Sequence, residues 1–255
     1  MDLYVSTLAS PGMTAVWSHA NRTAIERRIW LTVLRYHVQV GVAQPEALAA
    51  YRAAIEVDTH ARAIELEYTT RHDVKARIEA WNEVVGYEQI HLGMTSADIV
   101  DNAAQVQIRQ AATLLYESRP DLFPGIGPAL DRQRIRGIVG AVGTGSDQLA
   151  LTGRPEAPTE LTALLATEFG FIGTIDALGQ QYPRGMDLDL ATATIAGIAA
   201  AGPAADELRA VASGYYAMLQ SISGDQWFEG DVSSSSVRRV ALPGLYCAAS
   251  AACAL

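Results

Sequence analysis

The sequence is poor in the residues that staple or ligate. Its 255 residues include two cysteines, Cys247 and Cys253, with no histidine near them; this leaves no zinc-type ligand set and predicts a reducing, cytoplasmic setting. A chain of this length buries enough apolar surface to fold without such staples. Lysine is almost missing, for of the 19 basic residues only Lys75 is one and the rest are arginines. Positive charge is also outweighed. A net charge of -9 argues against a nucleic-acid surface and confines cationic chemistry to local clusters. Long apolar runs are lacking too: the longest uncharged stretch, VALPGLYCAASAACAL, is rich in alanine, contains a proline and is not read as a membrane span. Asp2 stands where a secretory signal would be basic, so no signal peptide is expected. No segment alternates convincingly with period two, which removes the main signal of a sheet.

What the sequence does have is helical period. Ile25, Ile29 and Val33 share one stripe of a helix, with Asn21 as its expected N-cap and Gly41 as its stop. Pro45 opens the next helix, and a third runs from Asp58 to Tyr68. The stretch TTRHDVKARIEAW continues into a helix with Val74, Ile78, Trp81 and Val85 inward and Gly86 at its end. In GMTSADIVDN, Thr95 and Asp98 stand in capping-box relation at the head of a long helix. Glycine and proline crowd between Arg119 and Asp147, the best candidate boundary, and helical segments resume in PTELTALLATEFG, LDLATATIAGIAAA and PAADELRAVASGYYAMLQSIS. The chain is therefore expected to be predominantly α.

Five histidines bound the acid-base chemistry. His37 falls inside the first long helix and reads as a satisfied core residue; His19 and His60 read as surface residues. His72 has Arg71 and Asp73 beside it, and His91 opens HLGMTS, where the hydroxyls of Thr95 and Ser96 meet a helix N-terminus that can take an anion. The plainer alternative is that Thr95 only caps the helix. A serine run before Arg238 and Arg239 reads either as a linker or, bracketed by Trp227, Phe228, Val240 and Leu242, as ordered structure. The His72-Asp73 pair also admits an HD-type metal phosphohydrolase, with His37 and Asp98 or Asp101 as further ligands.

TTRHDVKARIEAWNEVVGYEQIHLGMTSADIVDN resembles the corresponding stretch of the adenylosuccinate lyase family, in the fumarase/aspartase superfamily. ASPGMTAVWSHANRTAIERRIWLTVLR, RIRGIVGAVGTGSDQL, LGQQYPRGMDLDL and GDQWFEGDVSSSSVRRVALPG resemble further parts of that family. The resemblance implies an all-α, fumarase/aspartase-like helical bundle in truncated form: an N-terminal helical domain over residues 1–102, a shortened central bundle over 103–255, and no C-terminal domain. It implies a cytoplasmic homotetramer that needs neither metal nor organic cofactor, and that touches neither nucleic acid nor membrane. The reaction implied is β-elimination of fumarate from adenylosuccinate to give AMP, and from the succinocarboxamide intermediate of purine synthesis. His72 is thereby assigned to catalysis, and Arg71, Asp73, Thr95, Ser96, Ser235 and Arg239 to substrate binding, with Thr95 and Ser96 on a succinyl carboxylate and Ser235 and Arg239 on the phosphate.

Two motifs of that family have no counterpart here. A segment like THGxxAxP supplies the family's general acid, yet no histidine follows His91; a loop like SSxMPxKxN supplies its base and a lysine, yet the sole lysine is Lys75. An acid or base is commonly worth two to four powers of ten in rate. The alternative expectation is thus an inactive helical scaffold that retains nucleotide or partner binding.

Overall fold

Serine hydroxyls start the first two helices. Ser10 accepts from the Met13 amide ahead of α1 (Pro11–Val16), and Ser18 accepts from the Asn21 amide ahead of α2 (His19–Gln39). Asn21 is therefore not the cap that the sequence predicts. Its side chain instead donates to the Val16 carbonyl and to Gln110 Oε1, both at 2.8 Å, tying α1 and α2 to a later helix. Gly41 does end the helix, with the positive φ (79°) that glycine tolerates.

The computed structural model describes residues 7–176, 178–222 and 232–254, the side chains of 232–236 excepted. The helices continue as α3 (Pro45–Ala53), α4 (His60–Thr70), α5 (Asp73–Val85), α6 (Ser96–Ser118), α7 (Ile126–Arg132), α8 (Ser146–Thr152), α9 (Ala157–Phe169), α10 (Gly185–Ala200), α11 (Asp206–Ser221) and α12 (Val232–Ala252). Among the described residues there is no strand, only an isolated bridge between Ile135 and Thr174. Pro45 opens α3 as expected, because its missing N–H costs nothing in a first turn. The serine run lies in the first turn of α12, so it is helix and not linker. Trp227 and Phe228, which bracket it in the sequence, lie outside the described residues.

α6 is the spine. Its first half packs Ile99, Ala103 and Val106 against Ile29 and Trp30 of α2, Trp81 of α5 and Leu161 of α9; its second half packs Ile108, Ala112 and Leu115 into a second cluster with Phe123, Ile198 and Leu245. One continuous helix runs through residue 102 and serves both clusters.

The same helix buries a polar stripe, and this stripe positions the site. Asn102 exchanges two hydrogen bonds with the Gly137 backbone, at 2.8 and 2.9 Å, and Gln105 accepts from the Arg136 amide at 2.8 Å. Both anchor the RIRGIVG segment, where side chains mimic the strand partners its backbone lacks. Gly137 is forced here: its φ is +85°, and a Cβ would stand 2.2 Å from the Thr162 side chain.

Candidate functional site

The TTRHD stretch is a corner between two helices. α4 ends at Thr70, Arg71 turns the chain in the left-handed region (φ 54°), and His72 caps α5, its Nδ1 accepting from the Lys75 amide at 3.3 Å. With Nδ1 accepting, a neutral imidazole at this position carries its proton on Nε2. His72 therefore offers an N–H donor and no second ring lone pair. Asp73 follows, with Oδ1 3.7 Å from the His72 Nδ1. Burial raises the Asp73 carboxyl, but the charge and hydrogen bond of Arg77, the Val74 amide and the charge of Arg239 outweigh it, so the group stays below the usual carboxylate range.

Arg239 reaches this corner from α12, with Nη2 3.9 Å from Asp73 Oδ2. It is more than half exposed, unlike its neighbour Arg238. Arg238 is buried with Nε 2.9 Å from Asp187 and Nη1 3.3 Å from Asp101, and it also donates to the Tyr182 hydroxyl. One arginine of the pair thus builds the fold while the other faces the site. Beside them lies a cavity of about 210 Å³ lined by Trp17, Arg22, Gln107, Arg238, Arg239 and Pro243 among others.

The head of α6 completes the neighbourhood. Asp98 accepts from the Thr95 amide at 2.8 Å, which leaves Thr95 as the N-cap and Ser96 as the first helical residue, both half-buried. Asp98 is itself fully buried, where it pairs with Arg136 and accepts from the Val139 and Gly140 amides at 3.1 and 3.2 Å. A carboxylate so placed is no free metal ligand. Asp101 is likewise held, by Arg184 and Arg238. Among the described residues no group of three His, Cys, Asp or Glu side chains is arranged for a metal, so no ligand set supports the phosphohydrolase reading.

His91, noticed in the sequence but not chosen there as a site residue, sits in this neighbourhood. It adopts the left-handed region (φ 64°), and its Nδ1 accepts from Trp30 Nε1 at 3.1 Å. Burial is the main cause that pushes its pKa down to about 4; the charge of His72 works in the same direction and that of Asp98 against it. His91 is consequently neutral near pH 7, again with its proton on Nε2. Gln148 braces the loop by donating to the Leu92 and Gly93 carbonyls at 2.9 and 2.7 Å, while its Oε1 lies 2.9 Å from the buried His37 ring. The expectation of a satisfied core histidine at position 37 holds.

Of the residues singled out in the sequence, Asp73 is brought within 4 Å of both His72 and Arg239, and His91 lies within electrostatic reach of His72. Arg71 lines a shallow depression with Ile64, Glu67 and Tyr68. Ser235 lies in the first turn of α12, and its side chain is outside the described residues. Neutral N–H donors, an exposed guanidinium and a helix N-terminus together make a site suited to an anion with several acidic groups.

No family model matches the chain. The fold is that of the fumarate lyase class: a fumarate lyase from Mesorhizobium sp. BNC1 superposes with a TM-score of 0.78 at 16% identity, covering 97% of this chain and 74% of that one. A 3-carboxy-cis,cis-muconate lactonizing enzyme from Pseudomonas putida gives 0.83 at 14% identity, with 100% and 75% covered. Within that class, the sequence is similar to adenylosuccinate lyases. The Saccharomyces cerevisiae enzyme is 26% identical across 94% of this chain and 68% of its own length, and the Bacillus subtilis enzyme is 31% identical across 44% of this chain and 26% of its own. The yeast alignment runs over 330 positions, more than the 255 residues of this chain, so the yeast enzyme has segments without a counterpart here.

Proposed function

We propose that the chain carries a ligand site of the adenylosuccinate lyase type, taking a succinylated purine nucleotide and eliminating fumarate from it. The observation that carries this reading is the meeting of the α4–α5 corner with the exposed Arg239 of α12, with His91, just ahead of α6, within electrostatic reach of His72. Each matches a stretch of the resemblance, and together they present the donors that a phosphate and two carboxylates require. Arg239 takes the phosphate. The hydroxyls and free amides at the start of α6 take a succinyl carboxylate, and His72 Nε2–H orients the group beside it. In the elimination, a proton leaves the carbon next to a carboxylate, its electron pair forms the double bond of fumarate, and the departing nitrogen takes a proton to give the purine amine. A homotetramer, the state implied by the resemblance, would bring further side chains to this site, and a sizing experiment checks it.

A second reading is supported by the histidines. His72 and His91 both use Nδ1 as an acceptor, so neither has a ring nitrogen ready to take a proton. The site would then bind the nucleotide without turning it over. Fumarate release from adenylosuccinate, followed by absorbance, decides between the two. His72→Asn is the control, because asparagine keeps the capping oxygen and leaves the helix start intact. Release by the wild type that His72→Asn abolishes supports the lyase; calorimetric binding with no release supports the second reading; neither binding nor release by the folded chain sinks both.

A further inference from the structure

Glu26 is a carboxylate in the wrong place for a helix that packs Ile25 and Ile29 into the core. It is fully buried, and burying an anion is costly unless cations meet it there. Two do: Arg22 Nε at 2.9 Å, one turn earlier on α2, and Arg77 Nε at 2.7 Å, from α5. Arg77 extends further, placing Nη1 3.2 Å from Asp73 Oδ2 on its own helix, and Asp73 Oδ2 in turn lies 3.9 Å from Arg239 of α12. Four groups of alternating sign, Glu26, Arg77, Asp73 and Arg239, therefore run from the core to the site, with Arg22 as a second partner of Glu26. Their side-chain exposure climbs outward, from 0% at Glu26 through 14% at Arg77 and 30% at Asp73 to 55% at Arg239, so the anchored end is the buried one.

We propose that Glu26 is a positioning residue for the Arg239 anion site, acting through Arg77 and Asp73; this rests on the nucleotide-site reading above. A guanidinium is a rigid fork. With its Nε drawn to 2.7 Å from Glu26 as an ion pair, Arg77 reaches Asp73 through Nη1 alone, on Oδ2. Oδ1 is left toward His72, and Oδ2 is shared with Arg239. Without Glu26, Arg77 is free to turn and close on both carboxylate oxygens, which withdraws Asp73 from Arg239 and from His72. Glu26 thus sets where the Asp73 charge falls, and Asp73 sets the aim of the guanidinium that meets the ligand.

The sign of one measurement separates this from plain electrostatics. Glu26→Gln removes a negative charge close to an anion site, so charge alone predicts tighter binding of adenylosuccinate by the full-length chain. Positioning predicts the reverse: a dissociation constant raised by about 3- to 10-fold, the worth of one well-aimed hydrogen bond. Arg77→Lys keeps the charge but cannot span two carboxylates, and it should weaken binding alike. The double variant Glu26→Gln/Arg239→Ala should bind no worse than Arg239→Ala alone. Tighter or unchanged binding in Glu26→Gln, or additive losses in the double variant, overturns the proposal. If the folded wild type does not bind adenylosuccinate, the nucleotide reading fails by itself, and the positioning claim is judged from the Arg239 side-chain Nε–Hε NMR resonance, assigned by its loss in Arg239→Ala. That resonance moves in Glu26→Gln if the ladder transmits, and a resonance that stays put refutes it.

Discussion

The burial of His91 makes the fold acid-labile in a calculable way. The ring is held neutral, with its pKa lowered from 6.5 to about 4, chiefly by burial. In the unfolded chain the same ring takes up its proton near the ordinary value. Between pH 6.5 and 4 the unfolded state therefore binds more protons than the folded one. Stability contributed by this residue is fully present above pH 6.5 and is lost as the pH falls toward 4, at up to about 1.4 kcal/mol per unit. The whole window is worth about 3 kcal/mol, a large share of a typical domain's 5–15 kcal/mol. The matched control is His91→Asn: its amide oxygen stands where Nδ1 accepts from Trp30, asparagine tolerates the left-handed backbone, and it does not titrate in this range. Urea unfolding across pH 7.5 to 4 should show the wild type losing stability more steeply than His91→Asn by close to one proton. His19 and His37 also sit below their ordinary values, burial being the first cause in each, so the variant keeps a residual slope of the same sign. Equal slopes in the two proteins would refute the argument, because burial would then not be holding the ring neutral.

Two further substitutions test the frame of the site. Asp98→Asn leaves the buried Arg136 guanidinium without its main carboxylate, Asp101 being 3.9 Å away, and should cost about 3 kcal/mol in urea unfolding; a loss below about 1 kcal/mol would mean the core tolerates an unpaired guanidinium at this position and refute the expectation. Gly137→Ala adds a strained left-handed alanine and drives Thr162 off the Ile138 amide that it accepts from at 3.1 Å; the expected cost is about 2–4 kcal/mol, and a near-neutral result would show that the segment shifts freely.

Much of this could be read from the sequence because helix signals are local. Pro45, Gly41, Gly86 and the Thr95-to-Asp98 spacing each mark a helix end within four residues, and each end lies within a residue or two of where it was expected. The Asn21 cap failed for an equally local reason: Ser18, three residues upstream, already has the extended backbone a cap needs and offers its hydroxyl to the Asn21 amide. The resemblance pointed to His72, Asp73 and Arg239 among seven site residues, and of these the structure sets Asp73 within 4 Å of the other two.

What could not be read is which polar residue is spent on the fold and which is left for a ligand. Arg238 and Arg239 are adjacent and identical in chemistry, and only the 100° turn between successive helical residues sends one into Asp101 and Asp187 and the other toward solvent. Asp98 looks like the N3 partner of a capping box and is one, but its other oxygen ties down a loop some forty residues later. The excess of arginine over lysine finds its reason at the same level: Arg136 and Arg238 are both buried, and each uses several guanidinium nitrogens to bridge acceptors in fixed directions that a single ammonium does not match. A buried network of this kind is costly to break, because removing one partner leaves an uncompensated charge in the core.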